Sequence, residues 1–151
     1  MGHWEGDLII GLGHKSAIGT LVERTSTLTY IVKLKDRKSR TVITGFTKEF
    51  NRLNSNLTKT LTYDNGLEMA RHKQLTEATV VKVYFAHPYS SWERGTNENT
   101  NGLIRRYFPK KTDFNTVNEQ QLKQFQNMLN NRPGKVLIYK TPMEVFNQNS
   151  T

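Results

Sequence analysis

The chain has 151 residues, with 22 Lys and Arg against 13 Asp and Glu, and a formal charge of +9. A length of about 150 residues fits one domain with its own core. The absence of cysteine excludes disulfides, thiolate zinc sites and cysteine nucleophiles, and fits a reducing compartment. No apolar run approaches the ~18 residues needed to span a bilayer, and no apolar stretch behind a basic start reads as a secretory signal. The basic excess is spread along the chain, which points to a folded domain with a polyanionic partner. Charge kept for solubility is the plain alternative.

An extended pattern starts almost at once. From His3 to Leu12, Trp4, Leu8 and Ile10 alternate with Glu5, Asp7 and Ile9, so the two sets face opposite sides of a strand. So abrupt a start suggests an excised domain with Met1 as an added first residue. Gly11, Gly13 and His14 to Ser16 read as a turn. Ala17–Glu23 and Thr29–Leu34 are rich in β-branched and aromatic residues, with a polar connection between them. They continue the first strand as an antiparallel meander. Val42, Ile43, Phe46, Phe50 and Leu53 have helical spacing. Leu57–Tyr63 reads as a fourth strand ended by the turn chemistry of Asp64-Asn65-Gly66. A short helix is predicted over Glu68–Ala78 and a fifth strand over Val80–Phe85. An irregular loop from His87 to Trp92 leads to a helix capped by Thr96 or Asn97 and running to Phe108. After the basic turn Pro109–Asn115, Val117–Asn131 is predicted helical, with Leu122, Phe125, Met128 and Leu129 on one stripe. Thr141-Pro142 opens a last helix that offers Met143, Val145 and Phe146 to the core. Hairpins first and helical crossovers later describe an α/β (α+β) mixed sheet flanked by helices.

Several chemistries find no support. His3, His14, His72 and His87 form no metal-binding spacing. Gly11 to Ser16 lacks the step of a phosphate loop and precedes a strand. No nucleophile elbow is present. Three carboxylates remain. Asp7 interrupts an apolar strand, Asp64 ends the fourth strand, and Glu98 lies in the first turn of a helix. Each has a plain reading, as a solvated strand residue, a turn aspartate and a helix-start acid. Together they suggest more. If the first and fourth strands are neighbours, Asp7 and Asp64 can meet, and a helix across that face can add Glu98. Such a cluster calls for a hard divalent cation, and in a basic domain that means two-metal phosphoryl transfer. Glu98, Asn101 and Arg105 share one helix face, with Leu103, Ile104 and Tyr107 mainly on another. A plain amphipathic helix explains the same spacing.

His3-Trp4-Glu5-Gly6-Asp7, Tyr63-Asp64-Asn65-Gly66-Leu67-Glu68 and the block from Pro88-Tyr89-Ser90-Ser91-Trp92 through Glu98 to Arg105 resemble the catalytic domain of Asp-Asp-Glu insertion-sequence transposases. The likeness is to the insertion sequence thirty family and, more distantly, to the retroviral integrase core. It runs from His3 to about Phe146. The 33 residues between Asp64 and Glu98 suit that family. The resemblance implies a ribonuclease-H-like fold with a five-stranded mixed sheet. It implies a catalytic core over residues 3–148, with the N-terminal DNA-binding domain of the parent protein absent. It further implies that Asp7, Asp64 and Glu98 hold two Mg²⁺ or Mn²⁺ ions and carry out DNA cleavage at transposon ends and strand transfer by the 3′-hydroxyl. The implied setting is the bacterial cytoplasm at the nucleoid, with DNA as partner and a homodimer or higher assembly for the full protein. His87, where an aspartate is expected, and Lys111, where a glycine is usual, depart from the pattern.

Alternatives stay open at several positions. Glu5 competes with Asp7, since both lie on one strand face, and Glu93 competes with Glu98. Glu68 is a further acid near Asp64. Asn65 and Asn101 are candidates for positioning ligands or phosphate, against turn or packing roles. Arg105, Arg106, Lys110 and Lys111 form one candidate cluster for the DNA backbone. Arg37, Lys38 and Arg40 form a second. Trp92 and Tyr89 either stack on an end base or anchor their loop to the core. Two other readings of the same fold are a non-catalytic DNA-binding or assembly module and a ribonuclease-H-type nuclease.

Overall fold

The computed structural model describes residues 1–64, 70–86, 95–134 and 137–149, with side chains in the third stretch described from Asn99 onward. Strands β1 (His3–Ile10), β2 (Ala17–Glu23) and β3 (Thr29–Leu34) form the expected antiparallel meander. Helix α1 (Ser39–Phe50) crosses to β4 (Thr60–Tyr63), and α2 (His72–Thr79) crosses to β5 (Lys82–Phe85). Helices α3 (Gly95–Tyr107), α4 (Glu119–Asn130) and α5 (Pro142–Gln148) follow. The five strands lie in one sheet in the order β3-β2-β1-β4-β5. β1 is parallel to β4, and β4 to β5. The sheet is therefore mixed, as the order of hairpins and crossovers predicted.

Alternation along β1 divides two apolar layers. Trp4 and Leu8 join Phe46, Leu61 and Tyr63 in a core covered by α1, α2 and α5. Ile9 and Ile18 join Ile104, Phe108 and Phe125 under α3 and α4 on the other face. Trp4 sits at the centre of its layer, where its indole N–H donates to the Leu57 carbonyl at 2.8 Å and its ring stacks on Tyr30. The edge strand β3 is closed by α4. The Asn130 amide accepts from the Thr29 N–H and donates to its carbonyl, and Gln126 accepts from the Ile31 N–H. Such capping satisfies outward backbone groups that would otherwise invite another strand.

Several predicted boundaries move. β1 stops at Ile10, because Leu12–His14 winds into a 3₁₀ turn with Gly13 at φ 64°. Leu57 belongs to the 3₁₀ turn Ser55–Leu57, so β4 starts only at Thr60. α3 begins at Gly95, which puts Thr96 and Asn97 inside its first turn and not at its cap. Asn118, in a reciprocal capping box with Gln121, starts α4 two residues after Val117. Met128 is exposed, outside the buried stripe of Leu122, Phe125 and Leu129. Tyr107 is also exposed, with one ring face stacked on Phe125. Thr141 caps α5 as expected, accepting from the Glu144 N–H.

Three β-branched residues, Thr27, Val80 and Ile138, occupy the left-handed region, where Cβ crowds the backbone, and the last two are the exposed ones. Val80 (φ 60°) terminates α2, and Ile138 (φ 54°) sits in the turn bridged by Gly134 and Lys140. Both side chains are largely exposed, 67% and 83%, so little packing offsets the strain. Left-handed geometry costs a non-glycine residue about 1–2 kcal/mol, and glycine returns about 0.5–1 of that as unfolded-state entropy. Val80→Gly and Ile138→Gly are therefore each expected to raise stability by about 0.5–1 kcal/mol, read as a higher urea midpoint at unchanged slope.

Candidate active site

The site starts from the pairing of β1 with β4. His3, Trp4 and Glu5 align with Thr60, Leu61 and Thr62. The same register, continued two residues, sets Asp64 alongside Asp7. Their faces agree as well. Leu61 and Tyr63 point into the Trp4 layer, so Thr62 and Asp64 point to the opposite face, which Asp7 shares with Glu5 and Ile9. Gly6 makes this approach possible. A Cβ at Gly6 would lie 2.9 Å from the Tyr63 ring and 3.0 Å from Leu61. A side chain there would press on the Tyr63 ring and the Leu61 side chain, which pack over β1 from β4.

α3 lies across this face. The Asn101 amide donates to Asp7 Oδ2 at 2.8 Å, and the Leu8 N–H donates to Asp7 Oδ1 at 2.8 Å. Both carboxylate oxygens are thus fixed. The Thr20 hydroxyl donates to the Asp7 carbonyl at 3.4 Å from the neighbouring strand. One turn further along α3, Arg105 donates to the Ile10 carbonyl at 2.6 Å and to the Pro109 carbonyl at 3.5 Å. Burial lowers the pKa of this guanidinium from its ordinary value, yet it stays a cation at any physiological pH. Asn101 and Arg105 therefore fasten α3 to β1 at two points, while Ile104 between them is fully buried.

Glu98 stands one turn before Asn101 in the α3 backbone; its side chain lies outside the described residues, as do Asn65, Glu68, His87, Tyr89, Trp92 and Glu93. Among the described residues, no group of three His, Asp or Glu side chains forms a metal cluster. Asp7 and Asp64 by themselves offer paired hard oxygen donors, half-buried on one face, which suit Mg²⁺ or Mn²⁺ better than a soft metal. Glu5 shares their face but is 1% exposed, deeper beneath α3 than Asp7.

The basic candidates separate by environment. Arg106, Lys110 and Lys111 are exposed, and so are Arg37, Lys38 and Arg40. Ile10, Ala17 and Leu34 share one row across β1, β2 and β3, so the loops after β1 and β3 leave from the same end of the sheet. The Leu12 N–H donates to the Thr112 carbonyl, and Arg37 donates to the His14 carbonyl. Those bonds tie the Lys110–Lys111 turn and the Arg37–Arg40 segment to the end of β1, near Asp7. Arg105 differs from this group, since both of its hydrogen bonds run to backbone carbonyls.

Residues 1–91 match the integrase core domain family. The chain belongs to that family. Over 147 residues it is 49% identical to the transposase for insertion sequence element IS1086 of Cupriavidus metallidurans, covering 97% of this chain and 43% of that protein. Over 146 residues it is 51% identical to the transposase InsI for insertion sequence element IS30A of Escherichia coli K12, covering 97% of this chain and 38% of that protein. The chain thus spans about two fifths of the length of these curated relatives. Its fold is that of the catalytic core domain of BIV integrase, with a TM-score of 0.73 at 18% identity over 97% of this chain and 94% of that one. The ribonuclease-H-like fold expected of this integrase core is present.

Gly6, the glycine within β1, carried weight in the sequence only as part of a resembling motif. A glycine inside a strand is a general sign of close backbone approach, and that sign was available. Gly6→Ala is expected to cost about 1–3 kcal/mol through overpacking against Tyr63. Arg105→Met is expected to cost about 1–2 kcal/mol by leaving the Ile10 carbonyl without its charged donor, whereas Arg106→Met, at an exposed position, stays within about 0.5 kcal/mol. Urea denaturation of the three variants checks all of these values.

Proposed function

We propose that residues 3–148 act as the catalytic core of a DNA transposase, cleaving DNA at transposon ends and joining the freed 3′-hydroxyl to target DNA. One observation supports the reading. The parallel register of β1 and β4, continued two residues past Glu5 and Thr62, brings Asp64 alongside Asp7, and Asn101, on the helix that also bears Glu98, donates to Asp7. In this reading Asp7, Asp64 and Glu98 hold Mg²⁺ or Mn²⁺. When bound, two such ions would activate the attacking oxygen and stabilise the leaving one.

The chain's own residues orient and bind. Asn101 and the Leu8 N–H keep the Asp7 carboxylate aimed, so that little reorganisation is needed when charge develops. Arg105 holds α3, and with it the Glu98 backbone, against the end of β1. Asn65, next to Asp64, is assigned to positioning the ligand or phosphate. Arg106, Lys110, Lys111, Arg37, Lys38 and Arg40 draw the DNA backbone to this end of the sheet. In strand transfer the 3′-oxygen bonds to a target phosphorus as the bridging bond to the target 3′-oxygen breaks. The number of phosphodiester bonds is conserved, so no external energy source is required.

Recognition of the transposon ends is assigned to the part of the protein outside this chain, and coordination of two ends to a homodimer or higher assembly. The expected setting is the bacterial cytoplasm at the nucleoid. Among the described residues no helix is long and apolar enough to cross a membrane.

Asp64→Asn is expected to abolish DNA cleavage and strand transfer in Mg²⁺ or Mn²⁺ while DNA affinity is largely kept. Mn²⁺ at 100 times its Kd is expected to stabilise the unmodified chain by about 2.7 kcal/mol and the Asp64→Asn chain far less. Cleavage that survives this change would remove the assignment. DNA binding without cleavage under any metal would favour an assembly module. Hydrolysis of RNA in RNA–DNA hybrids without strand transfer would favour a ribonuclease-H-type enzyme.

A further inference from the structure

The edge of the sheet remote from β4 carries a groove of which the catalytic reading uses only Lys38 and Arg40, at one end. α1 and α4 flank β3 and leave a groove between them, made of two adjoining hollows that share Lys33, Gly45 and Glu119. Among the described lining residues, seven are Lys or Arg and three are Asp or Glu. Arg40, Thr44 and Lys48 recur every fourth residue along α1, and Arg52 continues the row just past its end. All four are exposed. The i, i+4 spacing sets them on one ridge, about 6 Å apart along the axis. Lys123 lines the same hollow from the opposite wall, on α4.

Like charges do not line both walls of a groove without a reason. Glu49 reaches Arg52 at 3.5 Å, and the Lys33 ammonium donates to the Val117 carbonyl at 2.8 Å. The first pairs an exposed Arg52 with a half-buried Glu49 and leaves the outer side of the guanidinium open to a further anion. Glu119 and Asp36 are the other two carboxylates of the lining. Arg40, Lys48 and Lys123 give the groove a surplus of cations over these acids. The row also has a direction. α1 starts where β3 ends, at the end of the sheet that holds Asp7, and runs away from it along the sheet edge.

We infer that the Arg40–Thr44–Lys48–Arg52 ridge, faced by Lys123, is a phosphate-binding rail for a DNA segment leading away from the catalytic end. The inference rests on the DNA reading proposed above. Three cations on one ridge, Arg40, Lys48 and Arg52, match the repeated charge of a polyanion, and the continuity with Lys38 at the sheet end favours one DNA path over a separate acidic peptide. The cations meet the DNA backbone, so binding here is insensitive to sequence.

The test is salt-titrated binding of a short labelled duplex of arbitrary sequence, in chelator so that no cleavage intervenes. Lys48→Ala/Arg52→Ala is compared with Lys73→Ala/Lys82→Ala, a pair of exposed lysines on α2 and β5. For every phosphate that a variant no longer neutralises, the slope of log K against log salt becomes shallower by about 0.9. The rail pair is expected to make it shallower by about 1.8, and the control pair to leave it unchanged. All four side chains are exposed, and matching urea midpoints show that both variants fold. An equal change in both pairs would reduce the effect to net charge and overturn the rail. An unchanged slope in the rail variant would overturn it too. An unchanged slope with an altered sedimentation coefficient would give the groove to a second copy of the chain. None of these outcomes bears on cleavage by the unmodified chain or on its loss in Asp64→Asn, so the rail and the catalytic reading fail separately.

Discussion

The parallel pairing of β1 with β4 is the constraint on which the site depends. A meander alone would leave β1 as an edge strand with Asp7 open to water. The crossover through α1 returns the chain beside β1 in the same direction, and the register sets Asp64 next to Asp7. That register is enforced by packing. Trp4 and Leu61 are paired residues of one apolar layer, and Tyr63 covers Gly6. A slip of one residue would turn Leu61 and Tyr63 toward α3 and Asp64 into the Trp4 layer. The same interactions that build the core therefore decide which face the carboxylates share.

Two carboxylates held side by side repel each other. A pair of carboxylates ~4 Å apart in an effective dielectric of ~20 would repel by about 4 kcal/mol. The fold counters it locally with hydrogen bonds to Asp7 from Asn101 and from the Leu8 N–H, and at longer range with the cations gathered at that end of the sheet. Arg105 has a different task. Its guanidinium joins the end of β1 to the turn after α3 through two carbonyls. Two fastenings on one helix face, four residues apart, fix both the position and the rotation of α3. In the proposed reading an oriented helix is what Glu98 on its first turns would require as a metal ligand, since a small rotation would sweep it out of reach.

Much of this was legible in the residues. Alternation in β1, the short crossovers and the capping residues Asn118 and Thr141 all act locally, so their pattern survives in sequence. The common face of Asn101 and Arg105 followed from helical periodicity. Their partners did not, because a hydrogen bond to Asp7 or to the Ile10 carbonyl depends on how α3 is docked. Arg105 read as a phosphate ligand for the same reason, since a cation in sequence does not show whether a backbone oxygen already holds it. Glu23 marks the limit further. It read as the end of a strand, yet it is fully buried, accepting from the N–H groups of Gly2, Thr25 and Ser26 and from the Ser26 hydroxyl. A carboxylate can be buried where several donors converge, and that convergence is a property of the folded hairpin. Met128 had the spacing of a core residue, but α4 packs on β3 through a narrower stripe than its apolar residues allow.

The distribution of charge then follows from topology. β1, β3, β4 and β5 run in one direction, with β2 alone reversed, so the loops after four of the five strands open at the same end. Any chemistry assembled from loops collects there, and so do Lys35, Arg37, Lys38, Lys110 and Lys111. Acid at the centre and base at the rim would separate the two demands of the phosphoryl transfer proposed above. In that reading the carboxylates would face a cation and the reacting phosphorus, while the remaining phosphates of a long polyanion would be neutralised away from them. Cations placed between the aspartates would satisfy the second demand by quenching the first. Arg105 respects this division, because its charge is bound to carbonyls at the end of β1 instead of reaching the Asp7 carboxylate. Under the two readings proposed above, the basic side chains of the described residues would form a rim around a small acidic centre, which α1 would carry outward along the sheet edge.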